Sequence, residues 1–127
     1  MLELEILGVA PLGEPELRRL CTLAAASAGV SGGHLALEFV DERRICELND
    51  RFRGRRSPTD VLSFPVDGAD AIAGGRELGD VVICVEHTAD VREAVVHGVL
   101  HLVGMDHETD DGEMLSKQRE LLELGRR

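Results

Sequence analysis

Leu2, Leu4 and Ile6 alternate with Glu3 and Glu5 over Leu2 to Val9, the period-two pattern of a strand with one wet face. Gly13-Glu14-Pro15 then predicts a helix start, because Pro fits the first helical position and acids suit the positive end. That helix carries Leu17, Leu20, Cys21 and Ala24 on one face and runs to about Gly29. Gly32-Gly33 turns the chain into a second strand with Leu35, Leu37 and Phe39 facing one way. Asp41 is placed to cap a second helix bearing Ile45 and Leu48, and residues 51 to 58 are an Arg-rich loop closing at Pro58.

A third strand follows through Val61, Leu62 and Phe64, and Pro65 ends it early or puts it near a sheet edge. Gly68 to Gly75 is a linker of small and acidic residues. The apolar run Leu78 to Val85 fits a buried central strand. Asp90 and Glu93 have capping-box spacing ahead of a helix reaching about Val103, which Gly104 is placed to stop. Asp110 and Glu113 repeat that spacing before a last helix with Met114, Leu121, Leu122 and Leu124. Four strands and about four helices in this order predict an α+β fold of mixed α/β layers. With 127 residues the chain is expected to form one domain over 1–127.

The chemistry concentrates in His97-Gly-Val-Leu-His101-Leu-Val-Gly-Met-Asp-His107. On a helix His97 and His101 lie about 40° apart around the axis and one turn apart along it. Both imidazoles can therefore reach one ion at about 2.0–2.1 Å, and a sharp exit at Gly104 can return His107 as a third ligand. Three neutral imidazoles with a vacant position describe a catalytic zinc site. His34 and His87 are isolated and fit solvated or structural roles. Zincin proteases carry a general-base Glu after the first His of HExxH, where this chain has Gly98, which disfavours peptide hydrolysis by that route. Gly98 in mid-helix costs about 1 kcal/mol against Ala. It either leaves space for an approach to the metal or allows tight helix packing.

Charge and composition narrow the setting. The 24 acids exceed the 14 Lys and Arg, a net charge of −10 that excludes a generally basic nucleic-acid wrapper but not a local basic cleft. Six of those bases, Arg43, Arg44, Arg51, Arg53, Arg55 and Arg56, fall between positions 43 and 56. Guanidinium forks suit phosphate oxygens, although Arg43 and Arg44 fit better as a solvated helix face paired with nearby acids. Three scattered cysteines and an acidic N-terminus without a membrane-length apolar run predict reduced thiols, no membrane association and a cytoplasmic location. With only three Phe and no Tyr or Trp, base stacking finds little support in the composition.

The histidine segment resembles the H-G-x-L-H-L-x-G-Y-D-H signature of the YbeY family, bacterial metal-dependent endoribonucleases of ribosomal RNA maturation. Pro58-Thr59-Asp60-Val61-Leu62-Ser63-Phe64-Pro65 and Leu78-Gly79-Asp80-Val81-Val82-Ile83 are similar to two further family blocks. Leu48-Asn49, Arg53-Gly54, Met114 and Gln118 extend the likeness. Met105 stands where the signature has Tyr, and only twelve residues separate Cys84 from His97, a short connection for the family.

The resemblance implies zinc on His97, His101 and His107, one ion per chain, with Arg53 the functional arginine of the cleft. It implies single-strand-specific cleavage in small-subunit ribosomal RNA 3′-end processing and ribosome quality control. The partners implied are ribosomal RNA, the small ribosomal subunit, and ribosomal proteins or an assembly GTPase. A non-catalytic ribosome-assembly module with a structural zinc is the alternative. For a general base, Asp60, Asp80 and Asp106 stay open, as does attack by the RNA 2′-hydroxyl.

Overall fold

The structure, a computed structural model, describes residues 2–66, 77–104 and 112–125. Its elements are β1 (Leu2–Leu7), α1 (Glu14–Ser27), β2 (Gly33–Val40), α2 (Glu42–Arg53), β3 (Val61–Pro65) and β4 (Glu77–Cys84). A 3₁₀ turn (Val85–His87), α3 (Val91–Leu102) and α4 (Glu113–Gly125) follow. The strands form one mixed sheet in the order β1-β2-β4-β3, parallel except for the antiparallel β3–β4 pair. The expected α+β architecture is therefore present, with β4 interior and the Pro65-ended β3 on an edge. Residues 67–76, which include the expected Gly68–Gly75 linker, and residue Asp110 lie outside the described residues.

Side-chain alternation sorts the helices onto the two faces of the sheet. Ile6, Leu37, Val81 and Ser63 share one row across the four strands, and Phe39, Ile83 and Val61 share the next. This face carries the larger core, where Leu17, Leu20 and Cys21 of α1 meet Val95, Val96 and Val99 of α3 and Met114 and Leu121 of α4. The opposite face presents Leu62, Val82 and Cys84 to Ile45 and Leu48 of α2.

The helix ends follow their caps. Asp41 Oδ1 accepts from the Arg44 N–H at 2.9 Å, and Asp90 Oδ1 accepts from the Arg92 N–H at 3.0 Å. The short connection after Cys84 is thus a 3₁₀ turn feeding directly into a capped α3, with His97 on its second turn. Val85, expected at the end of β4, lies in that turn instead. Helix α2 continues to Arg53 and stops at Gly54, whose φ of 69° is left-handed. The expected loop from 51 to 58 is therefore helical over its first three residues, because arginine is a good helix former and only Gly54 breaks the run.

Candidate metal centre

His97 and His101 project from successive turns of α3, beneath α4. Their Nε2 atoms face each other at 3.2 Å, with the rings 4.7 Å apart and inclined at 72°. Two nitrogens at about 2.0–2.1 Å on a tetrahedral zinc stand about 3.3–3.4 Å apart. The pair therefore has the span and the donor chemistry of two zinc ligands. His107, the third expected ligand, lies outside the described residues, as do Met105 and Asp106. Among the described residues no set of three or more ligating side chains converges. Gly104, at φ 102°, donates its N–H to the His101 carbonyl at 3.1 Å and ends the helix where the sequence places the exit.

Gln118 orients the first histidine. It occupies the apolar stripe of α4 between Met114 and Leu121 and is only 5% exposed. Its Oε1 lies 2.8 Å from His97 Nδ1. Accepting from an Nδ1–H fixes the tautomer that leaves the Nε2 lone pair facing His101. In the sequence Gln118 enters as part of the family likeness, with no sign of its contact with His97, which lies 21 residues away.

A cleft of about 190 Å³ opens beside His97 and Gln118, with Asp60, Asp90, Glu93 and Leu115 in its wall. Glu93 lies one helical turn before His97, and the sequence marks it only by its capping-box spacing from Asp90. Of the carboxylates expected as bases, Asp60 reaches this wall, although its Oδ1 also accepts from the Val61 N–H at 2.8 Å. Asp80 pairs in register with Ala36 and Phe64, on the α2 side of the sheet, and is separated from the histidines.

Gly98 faces the sheet. A Cβ there would stand 2.4 Å from Val81 Cγ1 and 3.2 Å from Val61 Cγ2, and its carbonyl accepts from Ser63 Oγ at 3.0 Å. Tight packing of α3 on β3 and β4 thus accounts for the glycine. A side chain at 98 would enter the sheet, so the position cannot hold a protease-type base.

Arg53 occupies the exposed last turn of α2, on the other side of the sheet from α3, and is not among the described residues lining the cleft. Arg43 and Arg44 pair with Glu47 at 3.4 and 3.6 Å, the solvated face expected for them. His34 bonds Glu77 at 2.9 Å and His87 lies 3.3 Å from Glu42, both structural roles. The Glu77 hydrogen bond raises the His34 pKa above its ordinary value. All three cysteines are free, and burial pushes the Cys21 thiol up to about 12. Among the described residues no helix is long and apolar enough to cross a membrane.

Known proteins resemble the chain over most of its length. The family model described as Endoribonuclease YbeY matches residues 14–125. A protein of Bacillus cytotoxicus named Endoribonuclease YbeY is 38% identical, over 84% of this chain and 82% of its own. A Pseudomonas putida protein of the same name is 40% identical, over 98% and 90%. The solution structure of a Thermotoga maritima protein superposes with a TM-score of 0.59 at 32% identity, covering 96% of this chain and 88% of that one. With its histidine signature and this coverage, the chain belongs to the YbeY family.

Proposed function

We propose that this protein is a zinc-dependent endoribonuclease of ribosomal RNA maturation, acting as one domain over residues 1–127 in the cytoplasm. The observation that carries the reading is the approach of His97 Nε2 to His101 Nε2 at 3.2 Å, with Gln118 holding the far side of His97 beside an open cleft. His97, His101 and His107 would hold the ion. When bound there, zinc supplies Lewis acidity towards a phosphoryl oxygen and lowers the pKa of a coordinated water.

The chain's own residues do the rest. Asp60 and Glu93 are carboxylates of the cleft wall, placed to take a proton from an attacking hydroxyl or water. The same carboxylates repel a phosphodiester, and a bound cation would offset them at the site. We assign Arg53, which lies outside the cleft lining, to the phosphate backbone of the same strand, as a cation that stays charged at any working pH. The name carried by the relatives gives RNA as the substrate class; to it we assign single-stranded ribosomal RNA of the small subunit, engaged with ribosomal proteins or an assembly GTPase.

The test is cleavage of single-stranded and duplex ribosomal RNA fragments by protein stripped with a chelator and reloaded with zinc. The proposal expects loss and recovery of cutting on the single-stranded fragment. Arg53→Ala at equal zinc content should lose most of the rate. Zinc retention with no cutting by the intact protein would transfer the site to a structural role in an assembly module.

A further inference from the structure

The last turn of α2 and the outer strand β3 build a second surface away from the histidines. Phe52 is 57% exposed, the largest exposure of any described Phe, and its ring meets Phe64 edge-on at 5.0 Å between centroids. The Arg51 guanidinium lies over the Phe52 ring at 5.5 Å. Arg56 pairs with Asp50 at 3.4 Å, whereas Arg51, Arg53 and Arg55 enter no ion pair among the described residues. Elsewhere among the described residues Arg18, Arg43, Arg44, Arg92 and Lys117 each have a carboxylate partner, and Arg119 on α4 enters no ion pair. In a protein of net charge −10, this turn therefore gathers unneutralised guanidinium groups around an exposed ring.

The surface is held in shape. Gly54 caps α2, the Arg55 N–H donates to the Asn49 carbonyl at 3.3 Å, and Asn49 Nδ2 donates to the Ser57 carbonyl at 2.9 Å. Phe64 of β3 lies four residues from Asp60, which immediately precedes the strand, about 13 Å at the rise of an extended chain. Asp60 in turn lines the cleft beside His97. The ring and the cleft thus stand near opposite ends of one edge strand, on opposite faces of the sheet.

We infer that Phe52, flanked by Arg51 and Arg55, is a stacking platform for a base of single-stranded RNA. The strand's phosphates would meet the guanidiniums while it passes around the β3 edge of the sheet to the cleft. Charge complementarity selects a polyanion, and an exposed ring selects one with unpaired bases, since a duplex offers no free base face. The inference deepens the endoribonuclease reading by adding a substrate-binding surface outside the reacting centre.

The test is fluorescence anisotropy with a labelled single-stranded RNA of about 12 nucleotides, using zinc-loaded full-length protein and following RNA integrity in the same samples. Phe52→Ala and Phe52→Leu should weaken binding roughly 5- to 100-fold with an unchanged salt slope. Phe52→Trp should restore it, and Arg55→Ala should lower the slope of log affinity against log salt by about 0.7. A duplex of the same sequence should show no dependence on Phe52. Binding unaffected by Phe52→Ala, or lost equally in Phe52→Trp, would overturn the platform. Phe52-dependent binding without any cleavage leaves the platform standing and removes the catalytic reading. Cleavage with Phe52-independent binding does the reverse.

Discussion

Replacing Gly98 by Ala adds one methyl group to the face of α3 that rests on the sheet. The new Cβ would stand 2.4 Å from Val81 Cγ1 and 3.2 Å from both Val81 Cγ2 and Val61 Cγ2, whereas carbon atoms in contact sit about 3.5–4.0 Å apart. Either α3 lifts by about 1 Å or Val81 leaves its rotamer. Val81 is fully buried in the interior strand β4 and has little room to turn. Overpacking of this kind costs about 1–3 kcal/mol, and Ala recovers about 1 kcal/mol of helix propensity. Because the closest contact is so short, the upper part of the range applies, leaving a net loss of about 1–2 kcal/mol. For a chain of this size that lowers the melting temperature by about 3–10 °C.

Denaturant unfolding of Gly98→Ala, Val81→Ala and the double variant measures this loss directly. Val81→Ala removes the colliding methyl groups, so Gly98→Ala should cost at least about 1 kcal/mol less on that background. Lifting α3 also displaces His97 and His101, so zinc affinity should fall in the single variant and recover in the double. A Gly98→Ala protein as stable as the parent, with no coupling to Val81, would refute the packing account. The glycine would then have to be explained from the side of the metal.

Two further outcomes follow from the site and the sheet. Gln118→Ala should weaken zinc binding about 10- to 100-fold in competition with a chelating dye, and Gln118→Glu, which keeps an oxygen at His97 Nδ1, should retain most of it; equal loss in both would assign Gln118 to packing alone. The raised pKa of His34, caused first by its Glu77 hydrogen bond, makes its share of stability complete below the unfolded pKa of about 6.5. That share is lost as pH rises through the higher folded value, so the stability difference between the parent and His34→Ala should shrink from pH 6 towards pH 9; a difference that grows with pH would contradict the assignment.

Local rules made most of the elements legible. The period-two run at Leu2–Ile6, the caps at Asp41 and Asp90, and Pro65 at the end of an edge strand each act within a few residues. The polarity of Arg51 and Arg53 suggests a loop, but the stronger signal for the end of α2 is Gly54. The histidine pair was visible from helical spacing, but its partner Gln118 was not, since that contact depends on how α4 lies on α3. Strand parity could have separated Asp80 from the site: it shares a face with Val82 and Cys84, which pack under α2. Composition gives base stacking little support, and it carries no information on exposure, which singles out Phe52 among the three Phe.

Metal content and RNA cleavage measured together on the parent, His97→Ala, His101→Ala and His107→Ala proteins test the central claim most directly. The account predicts one zinc per parent chain, its loss in each variant, and loss of single-strand cleavage in proportion to the zinc lost. Cleavage that survives in a zinc-free histidine variant of retained fold would contradict it.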